Sequence, residues 1–234
     1  MKKVVIFPHA GGASLFYSAI IKESVRILPI YLDYPGHLLK LTEALAETMD
    51  ELVDYLLEEL LEINDLVLEE LIFFGHSMGG SVAYEVAKRI YEKYNISIEK
   101  LIISAKLPPG EMNLKIKIET IEDMWEYIQS LHKQSDEIHT NQEFGKLLFP
   151  IMQQDISLLK QYETEWRYPK RPLGNIQPHI FIGAQDKGDL KQYQNWQNFF
   201  QEKCRYEFFS GGHFYLQEDK NSFLKILHKT ILST

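Results

Sequence analysis

The stretch from Leu71 to Ala87, LIFFGHSMGGSVAYEVA, decides how this chain folds. Its apolar start is typical of a buried strand and its end is typical of a helix, so a tight turn joins the two. The turn has the spacing Gly-x-Ser-x-Gly of a nucleophile elbow, which holds a serine in a strained conformation above a sheet. The spacing makes Ser77 a candidate nucleophile, because helix N–H groups would point at an oxyanion formed beside it. An ordinary glycine-rich turn is the alternative.

A nucleophilic serine requires a base, and after such an elbow the base is expected late in the chain. His213 fits best, because it follows an apolar run near 206–209 and a glycine pair that permits a short loop back over the sheet. His37 and His179 are the weaker alternatives. The pattern therefore predicts that His213 accepts the proton of the serine.

The carboxylate that orients the base is expected just beyond the strand that precedes the last one. Asp186 stands there, in a turn after the apolar run near 179–183. A buried carboxylate at this point would fix the tautomer of the imidazole and stabilise the imidazolium. Asp189 is the alternative, and either aspartate could instead cap the helix predicted to start near Leu190.

A glycine-rich loop, PHAGG at 8–12, follows the first predicted strand. Glycines let a backbone approach a reacting carbonyl, so the amide of Ala10 could act with that of Met78, the residue after the serine, as an oxyanion hole. The loop has neither the dinucleotide fingerprint nor the lysine of a P-loop, so phosphate binding is not indicated.

The rest of the chain alternates strand patterns with amphipathic helical patterns, which predicts an α/β fold with a mostly parallel sheet flanked by helices. A Leu/Glu-rich stretch near 51–70 is predicted to be an amphipathic helix. The length of 234 residues and the hydrophobic content of 45% suit a single domain spanning 1–234. The strands are predicted near 3–7, 27–32, 71–75, 100–104, 179–183 and 206–209.

The segment from about 107 to 174 is too long for a plain crossover between strands and has helical patterns of its own. One apolar stripe lies near 124–131, and another near 144–152 is interrupted at Pro150. The segment is predicted to form a lid above the serine, in which most apolar residues pack onto the body and some line a substrate channel.

Charge and composition exclude several classes of protein. The formal net charge is −8 and the basic residues are dispersed, which argues against nucleic-acid binding. No apolar run approaches the length of a membrane span or of a signal peptide, so no membrane association is expected and the cytoplasm is the expected location. Cys204 is the single cysteine, which excludes an intrachain disulfide and favours a structural role. Serine chemistry needs neither a metal nor an organic cofactor, so none is expected.

Five motifs together resemble the stand-alone type II thioesterases that accompany nonribosomal peptide and polyketide synthases. They are FPHAGG at 7–12, YPG at 34–36, GHSMGG at 75–80, Asp186 and GGHF at 211–214. The resemblance covers nearly the whole chain, and it implies an α/β-hydrolase fold with a helical lid. It also implies a catalytic triad of Ser77, Asp186 and His213, with Ala10 and Met78 as the oxyanion amides.

The resemblance implies hydrolysis of acyl, aminoacyl or peptidyl thioesters on the phosphopantetheine arm of a carrier protein. This activity serves editing in most of the family, although some relatives release a finished product. Arg167, Lys170 and Arg171 are candidates to meet the phosphate of the arm or an acidic carrier, whereas a solvated charge run is the ordinary alternative.

The chain departs from the family pattern after the second motif. The family usually continues with arginine and glycine, whereas this chain has HLLK at 37–40, and the segment 104–108 keeps only part of the usual pattern. These departures concern substrate and partner more than chemistry. Two other functions remain open: an esterase or lipase acting on free small esters, and a non-catalytic binding protein, which the intact triad disfavours.

Overall fold

The computed structural model describes residues 1–22, 24–112, 116–132, 141–169 and 171–233. Within these ranges, six strands form one sheet in the order β2-β1-β3-β4-β5-β6, and every pairing is parallel. The strands are β1 (Lys2–Phe7), β2 (Ile27–Tyr31), β3 (Leu71–His76), β4 (Lys100–Ser104), β5 (Gln177–Gly183) and β6 (Arg205–Phe209). Each lies within two residues of its predicted position, and the predicted fold class is confirmed.

Helices cover both faces of this sheet. They are α1 (Ser14–Ser18), α2 (Met49–Glu62), α3 (Met78–Tyr94), α4 (Ile121–Leu131), α5 (Gln142–Glu165), α6 (Leu190–Gln194), α7 (Tyr215–Glu218) and α8 (Lys220–Leu232), with short 3-10 helices at Leu38–Lys40, Leu68–Glu70 and Asn195–Phe199. Among the described helices, none has both the length and the apolar character needed to cross a membrane.

Alternation along the strands divides the interior into two cores. In β1, Val5 belongs to the core that also contains α2 and α3, whereas Val4 belongs to the core that also contains α8. Successive side chains of a strand point to opposite faces, and both faces of a parallel sheet are normally covered. This explains why β3 and β4, at the centre of the sheet, are buried at every residue.

The Leu/Glu-rich stretch near 51–70 is not one helix, which corrects the sequence prediction. Helix α2 begins after Thr48, whose side chain accepts a hydrogen bond from the Glu51 amide, and it ends at Glu62. The chain then turns through Asp65, whose φ is 59°. Aspartate tolerates this left-handed conformation, so the turn ends the helix although the composition beyond it remains typical of one.

The predicted interruption at Pro150 is also wrong, because α5 continues through this residue as a helix of 24 residues. A proline removes one helical hydrogen bond. The residues after it, including Ile151, Met152 and Ile156, are buried against the body of the protein. Burial of this apolar face stabilises the helix more than the proline destabilises it, as tertiary packing often outweighs local propensity.

Candidate active site

Ser77 lies at the carboxyl end of β3, directly before α3, with φ 55° and ψ −122°. Few residues with a side chain adopt this conformation. A Cβ at Gly75 would lie 2.0 Å from the carbonyl oxygen of Gly79, and a Cβ at Gly79 would lie 2.0 Å from the carbonyl oxygen of Phe7 in β1. Close backbone contacts therefore require glycine at both positions. For Gly79 the contact is with the neighbouring strand, β1.

His213 lies in the loop after β6, and its Nε2 is 2.8 Å from Ser77 Oγ. A hydrogen bond to α7 stabilises this loop, because the Gly212 amide donates to Glu218 Oε2 at 2.8 Å. Sequence reasoning missed this role of Glu218, since a glutamate in a short helix has no distinctive spacing. The structure thus brings together the predicted nucleophile and the predicted base.

Asp186 completes the group, because His213 Nδ1 lies 3.0 and 3.2 Å from its two carboxylate oxygens. The carboxylate also accepts hydrogen bonds from the Lys187 amide at 2.8 Å and from the Tyr193 hydroxyl at 3.1 Å. Burial alone would raise the pKa of Asp186, but the hydrogen bond and charge of His213, with these two donors, lower it below its ordinary value. Sequence reasoning missed Tyr193, which has no motif around it.

The alternative candidates have other contacts. Asp189 caps α6, because its Oδ1 accepts a hydrogen bond from the Gln192 amide at 2.9 Å. His179 is buried near the amino end of β5, and burial together with nearby cationic side chains lowers its pKa to about 4. His37 is paired with Asp155 of α5. Within the described part of the chain, none of these three residues forms a hydrogen bond with Ser77.

The PHAGG loop lies beside Ser77, and hydrogen bonds hold it on several sides. The Tyr34 hydroxyl donates to the Pro8 carbonyl at 2.8 Å, and the Gly12 amide donates to the His9 carbonyl at 2.8 Å. Burial, with smaller effects from three other histidines, lowers the pKa of His9 to about 3, so this imidazole is neutral. Ala10 and Met78 line a common cavity with Ser77, as two neighbouring amides of an oxyanion hole must.

Two cavities meet at Ser77. The first has a volume of about 500 Å³ and is mainly apolar, with walls that include Phe16, Ile128, Leu148 and Phe214. The second has a volume of about 610 Å³ and is more polar, with walls that include Glu111, Lys117, Glu126, Asp186, Lys187 and His213. Helix α4 borders both cavities through Tyr127 and Leu131. A substrate bound at Ser77 would therefore extend into an apolar cavity on one side and into a more polar cavity on the other.

Of the predicted basic cluster, the two arginines, Arg167 and Arg171, line neither cavity. Arg167 Nη1 donates to the Trp166 carbonyl at 2.7 Å and to the Thr164 carbonyl at 3.3 Å, at the end of α5. Arg171 is exposed and lines neither cavity, and Lys170 lies outside the described residues. Among the described residues, three lysines line the polar cavity: Lys106, Lys117 and Lys187. Lys106 is paired with Glu163 and Lys117 with Glu119, whereas Lys187 is exposed beside Asp186.

Cys204 is buried, and burial raises the pKa of its thiol to about 12, so this residue stays protonated. The described side chains include no group of three histidines, cysteines or acidic residues placed to hold a metal ion.

Comparisons with known proteins agree with this geometry. The model of the thioesterase domain family matches residues 2–231. Thioesterase PikA5 of Streptomyces venezuelae is 25% identical over 226 residues, which cover 92% of this chain and 76% of the relative. Gramicidin S biosynthesis protein GrsT of Aneurinibacillus migulanus is 25% identical over 236 residues, which cover 98% of this chain and 88% of the relative.

A solved structure shows the same fold. RedJ, a thioesterase from the prodiginine biosynthetic pathway of Streptomyces coelicolor, superposes with a TM-score of 0.84 at 23% identity, over 98% of this chain and 90% of that chain. The family match over nearly the whole length shows membership, and the superposition shows the architecture. The chain therefore belongs to the thioesterase family and is a hydrolase of thioester bonds with the α/β-hydrolase fold.

Proposed function

We propose that this chain hydrolyses acyl thioesters carried on the phosphopantetheine arm of carrier proteins in nonribosomal peptide or polyketide synthesis. The observation that carries the proposal is the 2.8 Å contact between Ser77 Oγ and His213 Nε2 at the junction of the two cavities. Relatives named for gramicidin S biosynthesis and for the prodiginine pathway support it. The cytoplasm remains the expected location.

The first half of the reaction forms an acyl-enzyme. Ser77 Oγ attacks the thioester carbonyl while His213 Nε2 takes the hydroxyl proton, and Asp186 stabilises the resulting imidazolium. The amides of Ala10 and Met78 stabilise the negative charge on the carbonyl oxygen. The C–S bond then breaks as the carbonyl re-forms, and the imidazolium gives its proton to the departing sulfur, which leaves as the thiol.

The second half releases the acid. A water molecule attacks the acyl-enzyme carbonyl while His213 Nε2 accepts one of its protons, and the same two amides stabilise the second oxyanion. The Ser77 ester bond then breaks, and the proton moves from His213 to the serine oxygen. The free carboxylic acid leaves and the starting state of the enzyme returns.

Neutral histidines around His213 favour this proton transfer. His76 lies 5.3 Å from His213 between ring centres, and burial lowers its pKa well below the ordinary value. His9 is neutral for the same reason. A positive charge at either position would repel the imidazolium that forms in each step, and two neutral rings avoid this repulsion.

The two cavities match the two ends of such a substrate. The apolar cavity, at about 500 Å³, is of a size that holds a small or medium acyl group, whereas the polar cavity suits the amides and phosphate of the arm. We assign Lys187 to the phosphate, in place of Arg167 and Arg171, because it lines the polar cavity and, unlike Lys106 and Lys117 there, has no acidic partner among the described residues. Helices α4 and α5, within the 107–174 segment of a single domain, form the lid.

Steady-state kinetics on three substrates with one acyl group tests the proposal. These are an octanoyl carrier protein, octanoyl-N-acetylcysteamine and ethyl octanoate. We expect the highest kcat/KM on the carrier and the lowest on the oxygen ester, because remote binding energy is used in the transition state. Equal efficiency on the carrier and the short thiol, or a preference for the ester, would contradict a carrier substrate and favour a free-ester esterase.

A further inference from the structure

Asp155, in the middle of α5, is a buried carboxylate that joins two loops at the carboxyl edge of the sheet. Its Oδ2 lies 2.9 Å from His37 Nε2 and accepts a hydrogen bond from the Gly11 amide at 2.7 Å. Asp155 is 4% exposed and His37 is 2% exposed. A helix of the lid is thus bonded directly to the loop that carries Ala10.

These contacts fix both peptide planes around Ala10. The Gly12 amide holds the carbonyl of the His9–Ala10 peptide at 2.8 Å, and Asp155 holds the amide of the next peptide through Gly11. Helix α5 also contacts the loop sterically, because a Cβ at Gly11 would lie 2.2 Å from Met152 Sδ. The direction of the Ala10 N–H therefore depends on where α5 sits.

The partners of His37 require a doubly protonated ring. Nε2 faces the Asp155 carboxylate, and Nδ1 lies 3.1 Å from the Pro35 carbonyl oxygen. Both partners accept hydrogen bonds, and a neutral imidazole has only one N–H to donate, whereas an imidazolium has two. Burial opposes the charge, but the charge and hydrogen bond of Asp155 outweigh burial, and the pKa of His37 lies above its ordinary value.

Other groups around His37 agree with a positive ring. Asp33, after β2, adds a second negative charge that raises the pKa of His37. His9 faces it from the loop after β1 and is neutral, with a pKa of about 3. The ring of Tyr34 lies 5.4 Å away, and burial raises the pKa of this phenol well above its ordinary value, so it is also neutral. The two charged groups that act on the pKa of His37, Asp155 and Asp33, are thus both negative.

We propose that Asp155 and protonated His37 are positioning residues, which hold the Ala10 amide in the direction that an oxyanion hole requires. The inference rests on the role given to Ala10 in the proposed function. A misdirected amide would weaken binding of the oxyanion more than binding of the substrate, so the pair acts on kcat.

The expected pH dependence of kcat follows from the direction in which the His37 pKa is shifted. The His37 pKa is raised in the folded protein, so the ion pair is fully present below the ordinary pKa of histidine. It is lost as the pH rises through the raised pKa of His37. The pair therefore imposes a decline of kcat on the alkaline side, which His213 as a base would not produce.

Kinetics of Asp155→Asn, with Glu163→Gln as the control, tests the positioning role. Glu163 is a carboxylate of the same helix that accepts a hydrogen bond from the Gly110 amide at 2.7 Å and pairs with Lys106, without contacting the Ala10 loop. We expect Asp155→Asn to lower kcat about 10- to 100-fold, with KM within about twofold, because one oxyanion donor is worth about 100-fold or more. Glu163→Gln should lower the melting temperature but keep kcat. Equal kcat losses in both variants would overturn the proposal.

The pH profile distinguishes positioning from plain structural support. His37→Arg keeps a cation at every pH, so the alkaline decline should move upward or vanish, whereas His37→Gln should have a low kcat without that decline. An unchanged decline in His37→Arg would overturn the proposal. Arginine is larger than histidine and could disturb this buried site, so the NMR titration of the His37 ring provides an independent measurement. The His37 signals are identified as those that are absent in His37→Gln. In Asp155→Asn the His37 pKa should fall, and an unchanged titration would also overturn the proposal.

The titration needs no substrate, so the two proposals can fail separately. Absence of thioester turnover in the wild type would refute the proposed function while the His37 titration stays as expected. Normal turnover with an unshifted His37 titration would refute the positioning role alone.

Discussion

His213 Nδ1 contacts both carboxylate oxygens of Asp186, at 3.0 and 3.2 Å, whereas Asp189, three residues further along, is bonded to the amide of Gln192. The carboxylate of Asp186 can orient the imidazole and stabilise its charged form. The carboxylate of Asp189 instead accepts a hydrogen bond from a backbone amide at the start of α6. The two aspartates therefore make a matched pair for mutagenesis.

We expect Asp186→Asn to lower kcat by about 10⁴-fold, because an amide neither fixes the reactive tautomer nor balances the imidazolium charge. Asp189→Asn should change kcat less than about twofold, because asparagine is as good an N-cap as aspartate. Steady-state kinetics at neutral pH measures both. The reverse ranking would assign the orienting role to Asp189.

Ser77→Ala should retain the fold and lose several orders of magnitude in turnover, because the nucleophile is removed while the elbow backbone stays. Ser81→Ala is the control, since Ser81 is buried in α3 and its hydroxyl has no partner among the described residues. A serine-reactive fluorophosphonate should label the wild type and Ser81→Ala at residue 77. Labelling at another serine, or near-normal turnover of Ser77→Ala, would contradict the assignment.

Lys187→Ala should lower kcat/KM on an acyl carrier by about three- to tenfold, as expected for one partly exposed contact with a phosphate. The same variant should lose little on the N-acetylcysteamine thioester, which has no phosphate. Arg171→Ala is the matched control, because its side chain is exposed and lies outside both cavities. If Arg171→Ala harms the carrier substrate more than Lys187→Ala does, the arm approaches from another side.

Ile128→Trp should fill part of the apolar cavity, because Ile128 lines that cavity and does not line the polar one. We expect kcat/KM for an octanoyl thioester to fall at least about tenfold, since each lost methylene contact is worth about 1–3 kcal/mol. An acetyl thioester serves as the internal control and should lose much less. Equal losses on both acyl groups would place the acyl chain elsewhere.

The strands and the elbow were predictable because their signals are local. Apolar runs bounded by turn residues give the strands to within two residues, and the spacing Gly-x-Ser-x-Gly identifies the turn from a few adjacent positions. The order of Ser77, Asp186 and His213 along the chain follows from the same strand pattern. In the structure, His213 contacts both Asp186 and Ser77, as the roles predicted from that order require.

Other features were decided only when distant segments packed together. Continuation of α5 through Pro150 depends on burial of its apolar face, and the choice between Asp186 and Asp189 depends on where the His213 loop ends. The pairing of His37 with Asp155 joins residues 118 positions apart. No periodicity or spacing in the sequence predicts which buried carboxylate a distant imidazole will contact, because the packing of α5 at the edge of the sheet decides that contact. The sequence by itself therefore determined the fold class and the candidate nucleophile, base and acid, whereas tertiary packing decided how the loop beside them is held.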